Sequence, residues 1–337
     1  MLVVMEQGAS EAQVADIVKR LEELKFKVNR VDGVVHTVLA GVGPADNLEP
    51  ADFEVLPGVK ECHLIVSPYK MAARKFRPEG TVISIKGVNI GGNEVISMAG
   101  PCSIEGKDQI NRIADIIAEA GAKVIRGGAF KPRSSPYSFQ GMGEEGLQYM
   151  REAADRNNLL AISEVMDASQ IELMLPYVDI LQIGARNMQN FAMLKELGKC
   201  GKPCLLKRGM SATIEETLLS AEYLLAGGNH DIIICERGIR TFETATRNTM
   251  DISAIPVMKQ MTHLPMVADP SHGVGRRDMV IPLALASVAA GADAVLVEVH
   301  YNPDKAWSDG AQTMTPEQFK DMMAKSRLIA QAVGRTM

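Results

Sequence analysis

The sequence predicts an α/β protein in which a (β/α)8 TIM barrel follows a small ferredoxin-like (βαββαβ) domain. After about residue 95, short apolar runs alternate with amphipathic helical stretches, a pattern typical of βαβ units and a parallel sheet. Eight such units over about 250 residues fit a closed barrel. No GxGxxG motif follows the first of these strands, so the usual signature of an open nucleotide-binding sheet is missing.

Residues 1–66 are predicted to form the first domain. Ser10 precedes a stretch whose apolar residues recur with helical spacing, and Asp32-Gly33 is a pair favoured in tight hairpin turns. The resulting order of strands and helices is that of the ferredoxin-like unit. The predicted elements are a strand at Leu2–Met5, a helix from Ser10 to about Leu24, a hairpin of Phe26–Val31 and Val34–Ala40, a helix near Leu48–Val55 and a strand at Val59–Val66.

Residues 67–80 contain two prolines and four basic residues and are predicted to be a linker, so that the barrel occupies residues 81–337. A short hairpin of Thr81–Ile85 and Val88–Ile90 is expected to plug one end of the barrel. The barrel strands are predicted at Val95–Ala99, Lys123–Arg126, Leu159–Ser163, Ile180–Ile183, Cys204–Leu206, Ile232–Cys235, Met266–Ala268 and Ala294–Val297. Helices are predicted between them, for example at Ile110–Ala120, Glu145–Asn157, Ile214–Leu225 and Val280–Ala290.

The composition of the chain is typical of a globular protein without a membrane span. The 337-residue chain is 46% hydrophobic but only 4% aromatic, so we expect an aliphatic core. Its net charge of −5 argues against bulk nucleic-acid binding, and no apolar run reaches the roughly 18 residues of a membrane span. The five cysteines are odd in number and scattered, which favours a reduced, cytoplasmic protein. Cys200 and Cys204 flank a turn and are predicted to be structural.

Charged residues follow the predicted barrel strands. The carboxyl ends of barrel strands meet at one mouth, where enzymes of this fold place their active sites. Converging cations repel one another unless an anion offsets them, and guanidinium groups match carboxylates and phosphates. We therefore expect a pocket for a small, multiply charged anion. The cations are Arg126, Lys131, Arg186, Lys207 and Arg237, with Arg133 close by.

A second group of residues at strand ends offers a thiol, an imidazole and two carboxylates: Cys102, His272, Glu298 and Asp309. This mixed set of donors suits a borderline divalent metal ion. The four residues share no tight spacing along the chain. Taken singly, a cysteine such as Cys102 is more often a buried apolar residue, and a histidine such as His272 is more often a hydrogen-bonded loop residue. His300, two residues after Glu298 on the same strand face, is a rival ligand.

These residues lie in segments that resemble the 3-deoxy-D-arabino-heptulosonate 7-phosphate (DAHP) synthases, in the subgroup related to 3-deoxy-manno-octulosonate 8-phosphate (KDO8P) synthase. The segments occur in order over nearly the whole barrel. The N-terminal segment resembles the ferredoxin-like regulatory extension of some members. The matching segments are AGPCSIE (99–105), IRGGAFKPRSSPYSFQGMG (125–143), QIGARN (182–187), LLKRG (205–209), ICERGIRTFE (234–243), ADPSHGVGRRD (268–278) and VEVH around Glu298, followed by SDG (308–310).

The resemblance implies roles for individual residues. A divalent metal ion (Mn, Fe, Co or Zn) is bound by Cys102, His272, Glu298 and Asp309. Phosphoenolpyruvate is bound by Arg126, Lys131, Arg186, Lys207 and Arg237 with the backbone at Ala185. The aldose phosphate is bound by Arg133 and by Ser134, where the family commonly has threonine. Lys131 is also a candidate proton donor or acceptor, and Glu164 or Glu236 is expected to position the attacking water.

The activity that the resemblance implies is condensation of phosphoenolpyruvate and D-erythrose 4-phosphate with water to give DAHP and phosphate. This reaction is the first step of the shikimate pathway for aromatic amino acid biosynthesis. The resemblance also implies a homotetramer and feedback control, in which an aromatic amino acid (tyrosine or phenylalanine) binds the N-terminal domain and closes the barrel mouth.

Three other functions fit parts of the pattern. A KDO8P-type synthase would use a different aldose in the same kind of site. A Schiff-base aldolase would use Lys131 or Lys207 as a nucleophile. A catalytically silent sensor would use only residues 1–66.

Overall fold

The chain divides into two units in the computed structural model, Met1–Pro68 and Tyr69–Met337. The structure describes residues 1–32, 36–43, 48–63, 68–131, 135 and 137–337. None of the described helices is both long enough and apolar enough to cross a membrane.

The N-terminal unit is an antiparallel sheet in the order β2-β3-β1-β4, with one long helix and one short one. Ser10 caps the long helix through a capping box with Gln13, as its sequence predicts. The helix buries Val14, Ile17 and Leu21 in a core shared with the sheet. The tight turn predicted at Asp32-Gly33 and the strand end predicted at Val66 extend outside the described residues. The elements are β1 (Leu2–Met5), α1 (Glu11–Glu23), β2 (Lys27–Asp32), β3 (Thr37–Val42), α2 (Ala51–Glu54) and β4 (Val59–His63).

The second unit contains a closed barrel of eight parallel strands, in which each strand pairs with its neighbour in sequence and the last pairs with the first. The predicted fold class is thereby confirmed. A hairpin, β5 (Ile83–Ile85) and β6 (Val88–Ile90), precedes the barrel. The barrel strands are β7 (Ile96–Gly100), β8 (Val124–Arg126), β9 (Leu160–Val165), β10 (Ile180–Ile183), β11 (Cys204–Lys207), β12 (Ile232–Glu236), β13 (Met266–Ala268) and β14 (Ala294–Glu298).

Helices cover the outside of the barrel, and two of them follow β13. The aliphatic core lies between these helices and the strands, where residues such as Ile113, Leu218 and Phe319 are fully buried. The helices are α3 (Lys107–Glu119), α4 (Gly143–Arg156), α5 (Ile171–Met174), α6 (Phe191–Leu197), α7 (Ile214–Ala226), α8 (Ala254–Met261), α9 (Pro270–Val274), α10 (Arg277–Ala289) and α11 (Pro316–Ala332).

The hairpin β5–β6 closes the amino-terminal end of the barrel. Ile83 and Ile90 are buried in one apolar cluster with the inward side chains of the strands, such as Ile96 and Leu205. Asp179, just before β10, receives an ion pair from Lys86 at the hairpin turn, with 2.8 Å between Nζ and Oδ1. The plug expected from the sequence is therefore present.

The segment predicted as a linker is packed against the barrel from Tyr69 onward. Tyr69, Ala72 and Ala73 are buried in the core around the barrel. The carboxylate of Glu222 on α7 accepts the backbone amides of residues 70, 71 and 72 at 2.8 to 3.0 Å. A distant carboxylate thus holds a segment whose own composition is typical of an extended connection.

Candidate active site

A cavity of about 370 Å³ lies at the carboxyl ends of the barrel strands. It collects most of the residues that the strand-end pattern singled out, although they are far apart in sequence. Its walls are formed by Lys131, Ser135, Ser138, Glu164, Gly184, Ala185, Arg186, Lys207, Met210, Arg237, Arg247, His272 and Asp309. Arg133 and Ser134 lie outside the described residues.

Four of the predicted cations, Lys131, Arg186, Lys207 and Arg237, line this cavity, and Arg126 lines a small recess beside it. Arg237 is 6% exposed, and its buried Nη1 has no hydrogen-bond partner among the described residues. Burial lowers the pKa of Arg237. A buried guanidinium short of a counter-charge is a binding group for an anion, because an unpaired buried cation is costly.

Asp269 organises one side of the cavity. Its side chain caps α9 by accepting the backbone amide of His272, and Pro270 occupies the first helical position. Its Oδ2 lies 2.6 Å from Lys207 Nζ and 2.9 Å from His272 Nδ1. Burial alone would raise the pKa of Asp269, but His272 and Lys207 hold it well below its usual value. The contact at Nδ1 therefore orients the imidazole of His272 so that Nε2 faces the carboxylates of Glu298 and Asp309.

Cys102, His272, Glu298 and Asp309 form a cluster whose ligand atoms all lie within 4.8 Å of one another. The sulfur of Cys102 is 3.1 Å from Asp309 Oδ2, and His272 Nε2 is 3.6 Å from Glu298 Oε1 and 3.9 Å from Asp309 Oδ2. One thiol, one imidazole and two carboxylates at this spacing fit a divalent transition metal ion. Burial raises the pKa of the Cys102 thiol to about 12, so a bound cation would be needed to displace its proton.

Neighbouring side chains connect this cluster to the cations. Lys131 Nζ donates to the carbonyl oxygen of Cys102 at 2.8 Å and lies 3.0 Å from its sulfur. Arg126 Nη1 donates to Glu298 Oε1 at 3.0 Å, while Gln312 donates to Oε2 of the same carboxylate at 2.7 Å. The anion pocket and the metal-type cluster are thus one continuous site.

The loops after β7 and β14 carry Cys102 and Asp309, and buried side chains join them. The hydroxyls of Ser103 and Ser308 are 2.7 Å apart, and Glu105 Oε1 accepts the backbone amide of Trp307 at 2.8 Å. The Trp307 ring packs edge-on against Phe139, with 4.9 Å between ring centroids. Asp309 has a φ of 51°, a left-handed conformation that is uncommon for non-glycine residues and that aspartate adopts more readily than most.

The two carboxylates predicted to position water differ in placement. Glu164 lines the cavity, and its carboxylate occupies the space beside Gly184, so a Cβ at that position would force the Glu164 side chain to move. Glu236 does not line the cavity. Its oxygens accept Arg208 Nη1 at 2.9 Å and the amide of Gly238 at 2.7 Å, and burial raises its pKa despite Arg208.

The structure also adds residues to the cavity, and it places the two candidate histidines in different surroundings. Arg247 lines the cavity 3.6 Å from Asp309 Oδ1, and Gln312 contacts Glu298. Neither directly follows a strand, so the strand-end rule missed both. His272 belongs to the cluster, whereas His300 accepts the amide of Asn302 on Nδ1 and lies 3.6 Å from Glu105.

Both units of the chain resemble known proteins. Residues 79–332 match the DAHP synthetase I family, and residues 1–66 match the DAHP synthase ferredoxin-like domain. Phospho-2-dehydro-3-deoxyheptonate aldolase of Thermotoga maritima is 47% identical over 334 residues, which is 99% of either chain. A crystal structure of phospho-2-dehydro-3-deoxyheptonate aldolase (DAHP synthase) from that organism has a TM-score of 0.81 at 46% identity, covering 99% of this chain and 98% of that one.

A relative with a different activity is more distant. The 2-dehydro-3-deoxyphosphooctonate aldolase of Desulfosudis oleivorans is 31% identical over 269 residues, which is 74% of this chain and 96% of its own length. The resemblance inferred from the barrel motifs is confirmed by the family match over residues 79–332 and by near-complete coverage of the Thermotoga relative. The chain belongs to the DAHP synthetase I family and carries the ferredoxin-like domain of DAHP synthases.

Proposed function

We propose that the cavity at the barrel mouth is the active site in which this chain condenses phosphoenolpyruvate with D-erythrose 4-phosphate and water, giving DAHP and phosphate. The activity itself follows from family membership and is the first step of the shikimate pathway. The observation that carries the site assignment is a cavity lined by five cations together with His272 and Asp309, two members of the cluster of thiol, imidazole and carboxylate donors.

Phosphoenolpyruvate is the substrate that matches the cations. It carries a carboxylate and a phosphate, and Arg126, Lys131, Arg186, Lys207 and Arg237 offer the positive charge to hold both. Nη1 of Arg237, which has no partner among the described residues, can donate a hydrogen bond to such an anion. We assign the aldose phosphate to Arg133 and Ser134 from the family resemblance.

The four clustered residues would hold a divalent metal ion, which when bound would polarise the aldehyde oxygen of erythrose 4-phosphate. A set containing Cys and His favours a borderline ion, so we propose Mn, Fe, Co or Zn rather than magnesium or calcium. Lys131 and Gln312 contact two of these residues and fix their orientation.

The reaction forms a bond between C3 of phosphoenolpyruvate and the aldehyde carbon while water adds at C2 and phosphate leaves. The cations hold the reactants together and balance the developing charge. Glu164, at the cavity wall, is the candidate to position the attacking water, because both oxygens of Glu236 are already bonded elsewhere. Lys131 is the candidate to move a proton, since it lies between the cavity and Cys102.

Phosphate release tests the assignment. The chain would be assayed with phosphoenolpyruvate and either erythrose 4-phosphate, arabinose 5-phosphate or no aldose, before and after EDTA treatment. We expect release with erythrose 4-phosphate, loss of release after chelation, and recovery with added Mn²⁺. Preference for arabinose 5-phosphate would instead favour the reaction of a 2-dehydro-3-deoxyphosphooctonate aldolase, such as the Desulfosudis oleivorans relative.

The Schiff-base alternative has little support in the geometry. Lys207 is paired with Asp269, and Lys131 donates to Cys102, so both amines serve as cations in fixed contacts. Borohydride trapping of a substrate adduct together with indifference to EDTA would overturn this reading.

We also propose three properties from the family resemblance. An aromatic amino acid binds residues 1–66 and inhibits the enzyme. The chain assembles as a homotetramer, which sedimentation analysis would test. It works in the cytoplasm, consistent with five cysteines that are all free.

A further inference from the structure

Two cysteines away from the cavity form a separate thiol pair. Cys200 and Cys204 lie on the turn between α6 and β11, and Cys204 begins the strand. Their sulfurs lie 3.7 and 3.6 Å from one acceptor, the carbonyl oxygen of Lys202. Both sulfurs therefore converge on the backbone of the turn between them. The pair is therefore at the amino-terminal end of β11, whereas Lys207, at the other end, faces the cavity.

The turn holds the two sulfurs in unequal environments. Gly201 adopts a φ of 68°, the left-handed conformation that lets the chain reverse over so few residues. Cys204 is fully buried, and Asn229 donates to its sulfur at 3.5 Å and to the carbonyl oxygen of Lys202 at 2.8 Å. Cys200 is only half-buried. A solvent-borne reagent reaches the sulfur of Cys200 first.

Charge also favours reaction at Cys200. The hydrogen bond from Cys204 lowers the pKa of the Cys200 thiol to about 7, and the same contact together with burial raises the pKa of Cys204 well above its usual value. The thiolate is the nucleophilic form of cysteine, so Cys200 carries the reactive sulfur and Cys204 keeps its proton at neutral pH.

We propose that Cys200 and Cys204 are a peroxide-sensitive site that closes to a reversible disulfide, with Cys200 attacking and Cys204 resolving. The Cys200 thiolate attacks one oxygen of a hydroperoxide, such as hydrogen peroxide, giving a sulfenic acid and releasing hydroxide. The Cys204 sulfur then attacks the sulfenic sulfur, the S–S bond forms and water leaves with the Cys204 proton. Two electrons pass from the sulfurs to the peroxide.

The other three cysteines differ from this pair in their surroundings, and the difference makes oxidation by peroxide selective for the pair. Cys62, Cys102 and Cys235 are all buried, and burial raises the pKa of each thiol. Among the described residues, none of them shares a hydrogen-bond acceptor with a second cysteine. Peroxide is therefore expected to consume the Cys200 and Cys204 thiols together before the others.

Peptide mass spectrometry tests the proposal. The full chain with its metal bound would be treated with stoichiometric hydrogen peroxide, alkylated with N-ethylmaleimide under denaturing conditions, and digested. We expect the peptide containing both cysteines to be two hydrogens lighter and unalkylated, and dithiothreitol to restore two alkylation sites. The result is read from the peptide alone, so it stands or falls independently of the catalytic assignment.

Single variants separate the two roles. Cys204→Ser should stop at a Cys200 sulfenic acid that dimedone traps, Cys200→Ser should leave Cys204 alkylatable, and Cys235→Ser, the control, should still form the disulfide. The proposal is overturned if both thiols survive a dose that oxidises another cysteine. It is equally overturned if Cys200 in the unsubstituted chain proceeds to sulfinic acid while Cys204 remains a thiol.

Discussion

At the scale of single residues, the clearest dependence is on Cys102. Replacing it with alanine removes the sulfur from a cluster of four donors. We expect metal affinity to fall by more than about 100-fold, since outer contacts alone are worth about 10- to 100-fold, and metal-dependent turnover should be lost. Metal content after dialysis against a weak chelator measures the first effect, and phosphate release measures the second.

Cys235→Ala is the matched control for that experiment. Cys235 is also a fully buried barrel cysteine, on β12, and it is not a member of the cluster. The control should keep its metal. Full metal occupancy and turnover in the Cys102→Ala variant would show that the sulfur of Cys102 is not a ligand of the metal ion.

How far residues could be predicted depended on whether they follow a strand. Lys131, Arg186, Lys207 and Arg237 were found because strand ends converge at one mouth. Arg247 was missed because its loop folds back over the site from a position well after β12. The role predicted for Glu236 stays a prediction: successive strand residues point to opposite faces, so that Arg237 lines the cavity while Glu236 pairs with Arg208.

At the scale of elements, the loops after β7 and β14 should depend on their shared hydroxyl contact. Ser308→Ala breaks the bond to Ser103 between the loops that carry Cys102 and Asp309. We expect metal affinity to fall about tenfold because Asp309 is then less firmly held. Competition with a chromogenic chelator gives the affinity.

Ser97→Ala is the control for the loop contact. Ser97 is a buried serine on β7, and its hydroxyl has no hydrogen-bond partner among the described residues. This variant should bind metal as the unsubstituted chain does. An unchanged affinity in Ser308→Ala would show that the hydroxyl pair does not position the cluster.

The ion network at Asp179 should stabilise the barrel in a pH-dependent way. Burial alone would raise the pKa of Asp179, but Lys86, Arg151 and the amide of Ala161 lower it below its ordinary value of 3.8. The contribution to stability is therefore fully present above pH 3.8 and is lost as the pH falls further. Asp179→Asn should lower the free energy of unfolding by about 3 kcal/mol at pH 7, a difference that shrinks below pH 3.8.

Urea denaturation at several pH values measures this difference. Asp155→Asn is the control, because Asp155 pairs with the same Arg151 but is 63% exposed. Asp155→Asn should lower the free energy of unfolding by less than about 0.5 kcal/mol. Equal effects of the two substitutions would argue against the network.

Strand and helix positions were predictable because apolar runs have a period and a length. The eight barrel strands fall within about two residues of their predicted ends. The segment after Pro68 was not predictable as part of the barrel. Its attachment depends on Glu222, 150 residues away, and no local pattern reports such a contact.

At the scale of the whole molecule, the two units have separate cores. One apolar cluster lies within residues 1–62, and the barrel clusters begin at Tyr69. We expect a chain that starts at Tyr69 to fold and to release phosphate at a rate within about threefold of the full chain, because the cavity residues all lie beyond that point. Inhibition by tyrosine or phenylalanine should disappear.

Steady-state assays of both chains with each amino acid check this prediction. A full-length variant with an alanine at an exposed site of the same domain, such as Glu6→Ala, controls for unspecific loss of inhibition. Inhibition that persists without residues 1–68 would show that the amino acid binds to the barrel and not to the N-terminal domain.

The position of Trp307 has a practical consequence for all of these measurements. It is the single tryptophan of the chain, and it lies two residues before Asp309 with its backbone tied to Glu105. Indole emission excited at the red edge of absorption therefore comes from one loop alone. Any ordering of that loop, whether by an ion or by a substrate, can be followed as an intrinsic fluorescence change without attaching a dye.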